Sequence, residues 1–178
     1  MPFEFAFLDW LYQFRNPVMN TISIFFDYAG AHGEIWIAFT LLLLLFRRTR
    51  KAGFAMAVAL VLYMATGHFF LKPLFARPRP CDVHTALTIL VKRPHGHSFP
   101  SGHTASAFAA AFALWLQNRK LGVPALVLAA FIAFTRLYLY VHFPTDVLGG
   151  LVLGLALGAL ALWIVAKLAN KSKKKQSV

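Results

Sequence analysis

From Glu34 to Ala166 the chain is a succession of apolar stretches joined by short polar connections. Glu34 to Phe46 is apolar and ends at Arg47-Arg48-Thr49-Arg50-Lys51. Ala52–Leu71, Ser101–Gln117, Val123–Val141 and Asp146–Ala166 follow, and each is predicted to be a helix long enough to cross or nearly cross a bilayer. Backbone polar groups must be satisfied internally in lipid, so a chain patterned this way folds as helices. A hydrophobic share of 59% with 18 phenylalanines in 178 residues is too apolar for a soluble domain of this length. Two N-terminal segments differ. Residues 3–15 mix aromatics with Glu4, Asp9 and Arg15, the composition of a helix lying at the membrane interface. Met19 to Ala29 is short and interrupted by Asp27, and reads as either a short span or a partly inserted helix. The expected fold is an all-α, polytopic membrane bundle of five to six transmembrane helices with an N-terminal interfacial helix. Residues 1–170 form one membrane-embedded domain, and 171–178 a basic cytoplasmic tail. No cleavable signal is visible, so the first apolar helix is expected to be retained.

The formal charge of +12 is carried by short runs between apolar segments, the pattern of membrane-protein loops rather than of nucleic-acid binding. Arg47–Lys51, Arg119-Lys120 and the lysine tail from Lys171 fall on one side, which the positive-inside rule makes cytoplasmic. The connections 72–100 and 142–145 then lie together on the outer side. Lys72, Arg77, Arg79, Lys92, Arg93 and Arg136 sit at that outer end against the rule, and cations kept in such places are functional candidates. A merely solvated loop accounts for Lys92 and Arg93 better than for the others. Arg136 lies inside an apolar run and needs a buried partner. The single cysteine, Cys81, excludes an internal disulfide and any multi-cysteine metal site. It lies beside Arg79-Pro80, so its alkylation is expected to hinder a site built there.

Three segments converge on the outer face. Lys72 is followed by Pro73, Arg77-Pro78 and Arg79-Pro80, where the prolines stop the helix and stiffen the loop. Ser98-Phe99-Pro100-Ser101-Gly102-His103 opens the next helix, with Ser98 or Ser101 as the cap and the first amides free to bind an anion. Thr135-Arg136 ends a later helix, His142 follows, and Asp146 starts the last helix four residues beyond it. Arginines and a lysine match phosphate oxygens, and helix-start amides at Ser101 and Gly102 add uncharged donors, so the chemistry suggested is phosphoryl transfer. An imidazole nucleophile needs its far nitrogen held by a carboxylate, which His142 with Asp146 supplies. His103 is placed to protonate a leaving oxygen. His32, His68 and His84 read as structural or interfacial histidines. His95, His97 and His103 are close enough in sequence to suggest a metal site, but lack helical spacing and a flanking carboxylate. Gly150, Gly154 and Gly158 recur every four residues, which permits close helix contact, within the bundle first and in a homo-oligomer second. A transporter would instead place its charges at mid-helix.

Lys72-x6-Arg79-Pro80, Pro100-Ser101-Gly102-His103 and Arg136-x5-His142-x3-Asp146 together resemble the three-part signature of the type-2 phosphatidic acid phosphatase superfamily. The helices around these motifs cover about residues 33–168; Thr135 stands where the family most often has serine. The resemblance implies a metal-independent integral-membrane lipid phosphatase that needs no cofactor. By position it makes His142 the nucleophile that forms a phosphohistidine, Asp146 its orienting partner and His103 the general acid. Lys72, Arg79, Ser101, Gly102 and Arg136 become the phosphate ligands, and Arg77 a helper only. The chain is similar to compact bacterial members of the family. For these the implied substrates are undecaprenyl diphosphate first, then phosphatidylglycerol phosphate or phosphatidic acid, with lipid phosphotransfer third.

Overall fold

The computed structural model describes residues 2–30 and 33–176, and His32 lies outside them. The described residues are helical, without strands. The elements are α1 (Pro2–Tyr12), α2 (Pro17–Ala29), α3 (Glu34–Leu45), α4 (Arg50–Tyr63), α5 (Lys72–Phe75), α6 (Pro80–Val83), α7 (Gly102–Gln117), α8 (Arg119–Tyr138) and α9 (Pro144–Gln176). A π-helical stretch, Met64–Leu71, carries α4 directly into α5.

Among the described residues three helical runs are long and apolar enough to cross a membrane: Arg50–Val83, Arg119–Tyr138 and Pro144–Lys171. α2 and α3 make a fourth if the bent pair is one crossing. The sequence count of five to six included Glu34–Phe46 and Ser101–Gln117, which form helices of 12 and 16 residues. At 1.5 Å per residue these are about 18 and 24 Å long, against a hydrocarbon core of about 30 Å. α7 can be short because protein surrounds it. It packs on α4, α8 and α9, and Thr104 to Ala107, Ala109 to Ala111, Ala113 and Leu114 are all buried. Alanine favours the helix and lets neighbouring backbones approach closely. α9 runs on to Gln176, ten residues beyond the expected end at Ala166, so the basic tail continues the helix.

The glycine repeat of α9 faces α7. A Cβ on Gly150, Gly154 or Gly158 would lie 2.8, 2.7 or 2.9 Å from the carbonyl oxygen of Ser101, Ala105 or Ala109 respectively. This is the packing within the bundle that the repeat suggested first. Gly154→Val would force α7 and α9 apart and is expected to cost about 1–3 kcal/mol. The check is the thermal midpoint of the detergent-purified variant.

α4 and α8 run toward one end of the bundle, and α7 and α9 start from it. Arg47–Lys51, Arg119-Lys120 and Lys171 therefore collect at the opposite end. α1 lies across the first end. Its buried residues Glu4, Leu8 and Leu11 face inward, where Leu8 packs with Tyr140 and Phe143, while Phe3 and Trp10 are exposed. α2 packs along the last turns of α8: the Asn16 amide donates to Tyr138 Oη, Tyr138 Oη donates to Asn20 Oδ1, and Phe26 meets Phe131 edge-on. With 13 residues, or about 20 Å, α2 is too short to span alone.

Candidate active site

His142 sits in the tight connection between α8 and α9 with its side chain 3% exposed. Its Nε2 lies 3.1 Å from Arg79 Nη1. Arginine can only donate, so Nε2 carries a lone pair and the ring proton is on Nδ1. That nitrogen is 3.3 Å from Ser98 Oγ and 3.5 Å from Asp146 Oδ2. The Ser98 hydroxyl in turn donates to Asp146 Oδ2 at 2.5 Å, so its oxygen is free to accept from the imidazole. Burial above all, with the positive charges of Arg79 and Lys72 adding to it, pushes the His142 imidazole down to about 3; the bond to Asp146 pulls the other way.

Asp146 is wholly buried in the first turn of α9. Oδ1 accepts from Arg77 Nη1 at 2.6 Å, and Oδ2 also accepts from the Phe143 amide at 2.8 Å. Arg77 thus faces away from the role of phosphate helper. It bridges Asp146 to Glu4 of α1, 2.7 Å from its other Nη, and its guanidinium lies over the Phe143 ring. Ser98, which the sequence marked only as a helix-cap candidate, instead joins the histidine to the acid. Because the direct His142–Asp146 contact is long, Ser98→Ala is expected to lower kcat about tenfold with little change in KM, an effect typical of one lost orienting hydrogen bond.

Arg79 is held by the backbone of the 95–97 loop. Nε donates to the Gly96 carbonyl at 3.1 Å and Nη2 to the carbonyls of His95 and His97 at 3.5 and 3.4 Å. Lys72 Nζ, presented where the π-helical stretch ends, donates to the same His97 carbonyl at 2.6 Å. Gly96 has φ +78, a conformation glycine adopts without strain, and this loop turns its carbonyls toward both cations. Arg136 finds the buried partner it needs in Asp27 of α2, with Nη1 to Oδ1 at 2.5 Å, while Nε and Nη2 donate to Thr135 Oγ1. His103 Nε2 lies 3.3 Å from the Asp27 carbonyl oxygen.

A cavity of about 890 Å³ receives these groups. Lys72, Arg79, Gly102, His103, Arg136 and His142 line its polar end. Its remaining wall descends between α3 and α4 along Ile37, Leu41, Leu44, Leu60, Val61 and Met64. The expected Ser101 ligand does not reach it: Ser101 is fully buried, its amide donates to the Asp146 carbonyl at 3.0 Å and its hydroxyl oxygen accepts from Thr104. Gly102 is left to supply the helix-start amide. Its Cα surface abuts Tyr63, whose hydroxyl would be 2.7 Å from a Cβ there.

Lys92 and Arg93, the two candidates for which a solvated loop was the better account, line the cavity, although Arg93 is tied to the Cys81 and Thr85 carbonyls and to Asp82. Cys81 is buried against Val91, Leu139 and Val141, so the expectation that alkylation would reach the site is corrected. His84 stacks on Phe5 and bonds Tyr140 Oη, a structural role. Among the described residues no three His, Cys, Asp or Glu side chains gather as a metal site, and His95, His97 and His103 do not converge. Sequence reasoning missed Asp27 and Ser98. An acid inside an apolar segment and a serine just ahead of Pro100-Ser101-Gly102-His103 were the only signals for them.

The helical membrane bundle thus holds a cation-walled cavity with an imidazole braced by a carboxylate and an apolar extension, parts suited to a phosphate carried on a lipid. Residues 50–169 match the model of the PAP2 superfamily, and the chain belongs to that family of lipid phosphatases. It is 31% identical over 147 residues to an undecaprenyl-diphosphatase of Sulfolobus acidocaldarius, covering 82% of this chain and 70% of that protein. It is 30% identical over 186 residues to a lipid A 4′-phosphatase of Bacteroides thetaiotaomicron, covering 89% and 82%. The crystal structure of Aquifex aeolicus LpxE superposes with a TM-score of 0.72 at 27% identity, covering 90% of this chain and 94% of that one.

Proposed function

We propose that this protein removes the terminal phosphate of a lipid diphosphate, undecaprenyl diphosphate before other lipids, through a phosphohistidine on His142. The observation that carries the reading is the His142 ring itself: Nε2 unprotonated among cations at the cavity's polar end, Nδ1 tied to Ser98 and Asp146. The Nε2 lone pair attacks phosphorus, the bond to the leaving oxygen breaks, and His103 gives that oxygen a proton. Water then attacks the phosphohistidine, His103 takes its proton, and the N–P bond breaks to release phosphate. Lys72, Arg79, Arg136 and the Gly102 amide bind the phosphoryl oxygens, and Asp146 holds the imidazolium-like ring as charge develops. The apolar wall between α3 and α4 suits a lipid chain that enters from the membrane. The basic runs at the opposite end of the bundle support an extracytoplasmic site and a cytoplasmic C-terminus. The undecaprenyl-diphosphatase likeness supports the ranking of substrates.

With His142 held near 3 rather than at 6.5, the nucleophile stays neutral and reactive through pH 5–8, so its protonation is expected to produce no acid limb near 6.5 in kcat/KM. The unfolded chain binds this proton at about 6.5 and the folded one does not until about 3, so stability is lost as pH falls from about 6.5 toward 3. Thermal midpoints measured from pH 7 to 4 should fall more steeply for wild type than for His142→Gln.

The test of function is phosphate release by purified protein in EDTA from undecaprenyl diphosphate, phosphatidylglycerol phosphate and phosphatidic acid. Release fastest from the first is the expected result. Preference for either of the others overturns the substrate ranking, and transfer to an added acceptor lipid without release would make the protein a phosphotransferase. Loss of release on chelation alone would overturn the metal-independent mechanism.

A further inference from the structure

Asp27 lies outside residues 50–169, the region matched by the family, yet it touches two groups of the cavity's polar end. Its Oδ1 accepts from Arg136 Nη1 at 2.5 Å, and its backbone carbonyl oxygen stands 3.3 Å from His103 Nε2. The arginine side chain is 1% exposed and the aspartate 18%, so the pair is largely withdrawn from water but open on the cavity side. The other edge of the guanidinium, Nε and Nη2, is fixed by Thr135 Oγ1. Arg136 Nη1 therefore has the Asp27 carboxylate where a phosphoryl oxygen would otherwise bind. Arg79, the other guanidinium at the cavity's polar end, is built differently. It is held by the carbonyls of Val141, His95, Gly96 and His97, which fix its position without cancelling its charge.

α2 is anchored so that this contact is well defined. Asn16 and Asn20 bond Tyr138 and Phe26 meets Phe131, which places the last turn of α2 beside Arg136. Gly30 follows closely, and a Cβ there would stand 3.0 Å from His103 Cδ2, so the end of α2 also walls in that ring. A carboxylate in a pocket for a phosphate is unfavourable for binding, because like charges repel strongly where water is excluded. It is favourable for release of a phosphate that the remaining cations would otherwise retain.

We propose that Asp27 is a positioning residue and competing counter-ion: it holds the Arg136 guanidinium in the cavity and weakens that guanidinium's grip on phosphate, so that inorganic phosphate leaves. The proposal rests on Arg136 binding the phosphoryl group. Arg136 is paired with Asp27. When the substrate arrives, the guanidinium shares its remaining N–H groups with the phosphoryl oxygens, and after hydrolysis the carboxylate reclaims it. No bond is made or broken in this exchange. The Asp27 carbonyl keeps the His103 ring in register throughout, and side-chain substitutions leave that contact available.

The experiment measures inhibition by inorganic phosphate, with KM and kcat, for wild type, Asp27→Asn, Asp27→Glu and Arg136→Ala in detergent. Asp27→Asn keeps the shape and an acceptor for Arg136 but removes the charge. It is expected to tighten the inhibition constant for phosphate about tenfold and to lower KM. Asp27→Glu, which restores the charge, should stay within about threefold of wild type. An inhibition constant for Asp27→Asn that is unchanged or weaker than wild type overturns the proposal, as does equal tightening in Asp27→Glu. A merely structural ion pair would give that weaker binding together with a lower thermal midpoint. If Asp27→Asn does not fold, Asp27→Ser supplies the uncharged arm of the same comparison. Arg136→Ala separates the two levels: unchanged phosphate inhibition in that variant would remove Arg136 from the phosphate site, whereas weakened inhibition there with no effect in Asp27→Asn would reject Asp27 alone.

Discussion

His142→Ala is expected to lower kcat by about 10⁴-fold or more while the protein remains folded, the size of effect seen when the central group of a covalent mechanism is removed. The folding part of this expectation comes from where the residue sits. The bundle is held by α7 against α4, α8 and α9, and His142 lies beyond the ends of those helices, in the connection 139–143. Its removal also unburdens a site in which an imidazole is buried beside Arg79 and Lys72. Residual turnover would come from phosphate binding by the cations. The check is kcat with undecaprenyl diphosphate, alongside trapping of acid-labile phosphate on the enzyme. Wild type should be labelled and the variant not. A variant that keeps a tenth of wild-type turnover would exclude His142 as the nucleophile.

Asp146→Ala should be nearly as severe for activity and, unlike His142→Ala, severe for stability. The Asp146 carboxylate accepts from Arg77, Ser98 and the Phe143 amide as well as facing His142 Nδ1. Deleting it leaves a buried amide and a hydroxyl without their acceptor and removes one of the two counter-ions of Arg77, although Arg77 keeps Glu4 and Thr145 Oγ1, and Thr145 still bonds Glu4. Removing one partner of a buried ion pair costs about 3–5 kcal/mol, and Glu4, still paired with Arg77, argues for the lower end. For catalysis, the imidazole loses the acceptor that selects its tautomer, and kcat should fall by about 10³- to 10⁴-fold. Asp146→Asn, which keeps the shape, should lose most of the activity with a smaller drop in thermal midpoint. Full stability in Asp146→Ala would show that the Arg77 bridge contributes little, and turnover within tenfold of wild type would remove Asp146 from the mechanism.

These two residues also show how far one sequence reaches. His142 and Asp146 are four apart at a helix start, so their proximity is a local property that spacing alone conveys. The same holds for Arg79 beside prolines and for His103 at the opening of α7. Helical class was legible because lipid allows few alternatives to a helix, and the basic runs declared which helix ends share a side. The number of crossings was harder. Ser101–Gln117 leads from one end of the bundle to the other with its alanines covered by protein, and apolar composition does not distinguish lipid from helix neighbours.

What the sequence determined by itself was therefore local and pattern-borne: helices, their polarity, and the residues whose chemistry suits a phosphate. Only the tertiary structure decided how the charges are shared out. Arg77 and Arg79 are two residues apart, yet one is neutralised by Asp146 and Glu4 while the other faces His142. Arg136 is matched by Asp27, 109 residues away, and Ser98 reaches Asp146 across 48. Ser101 and Gly102 are neighbours, and only Gly102 lines the cavity. The reason is physical. A buried charge or donor must find a partner, any acceptor of the right geometry will serve, and which one lies within about 3 Å depends on how distant helices pack.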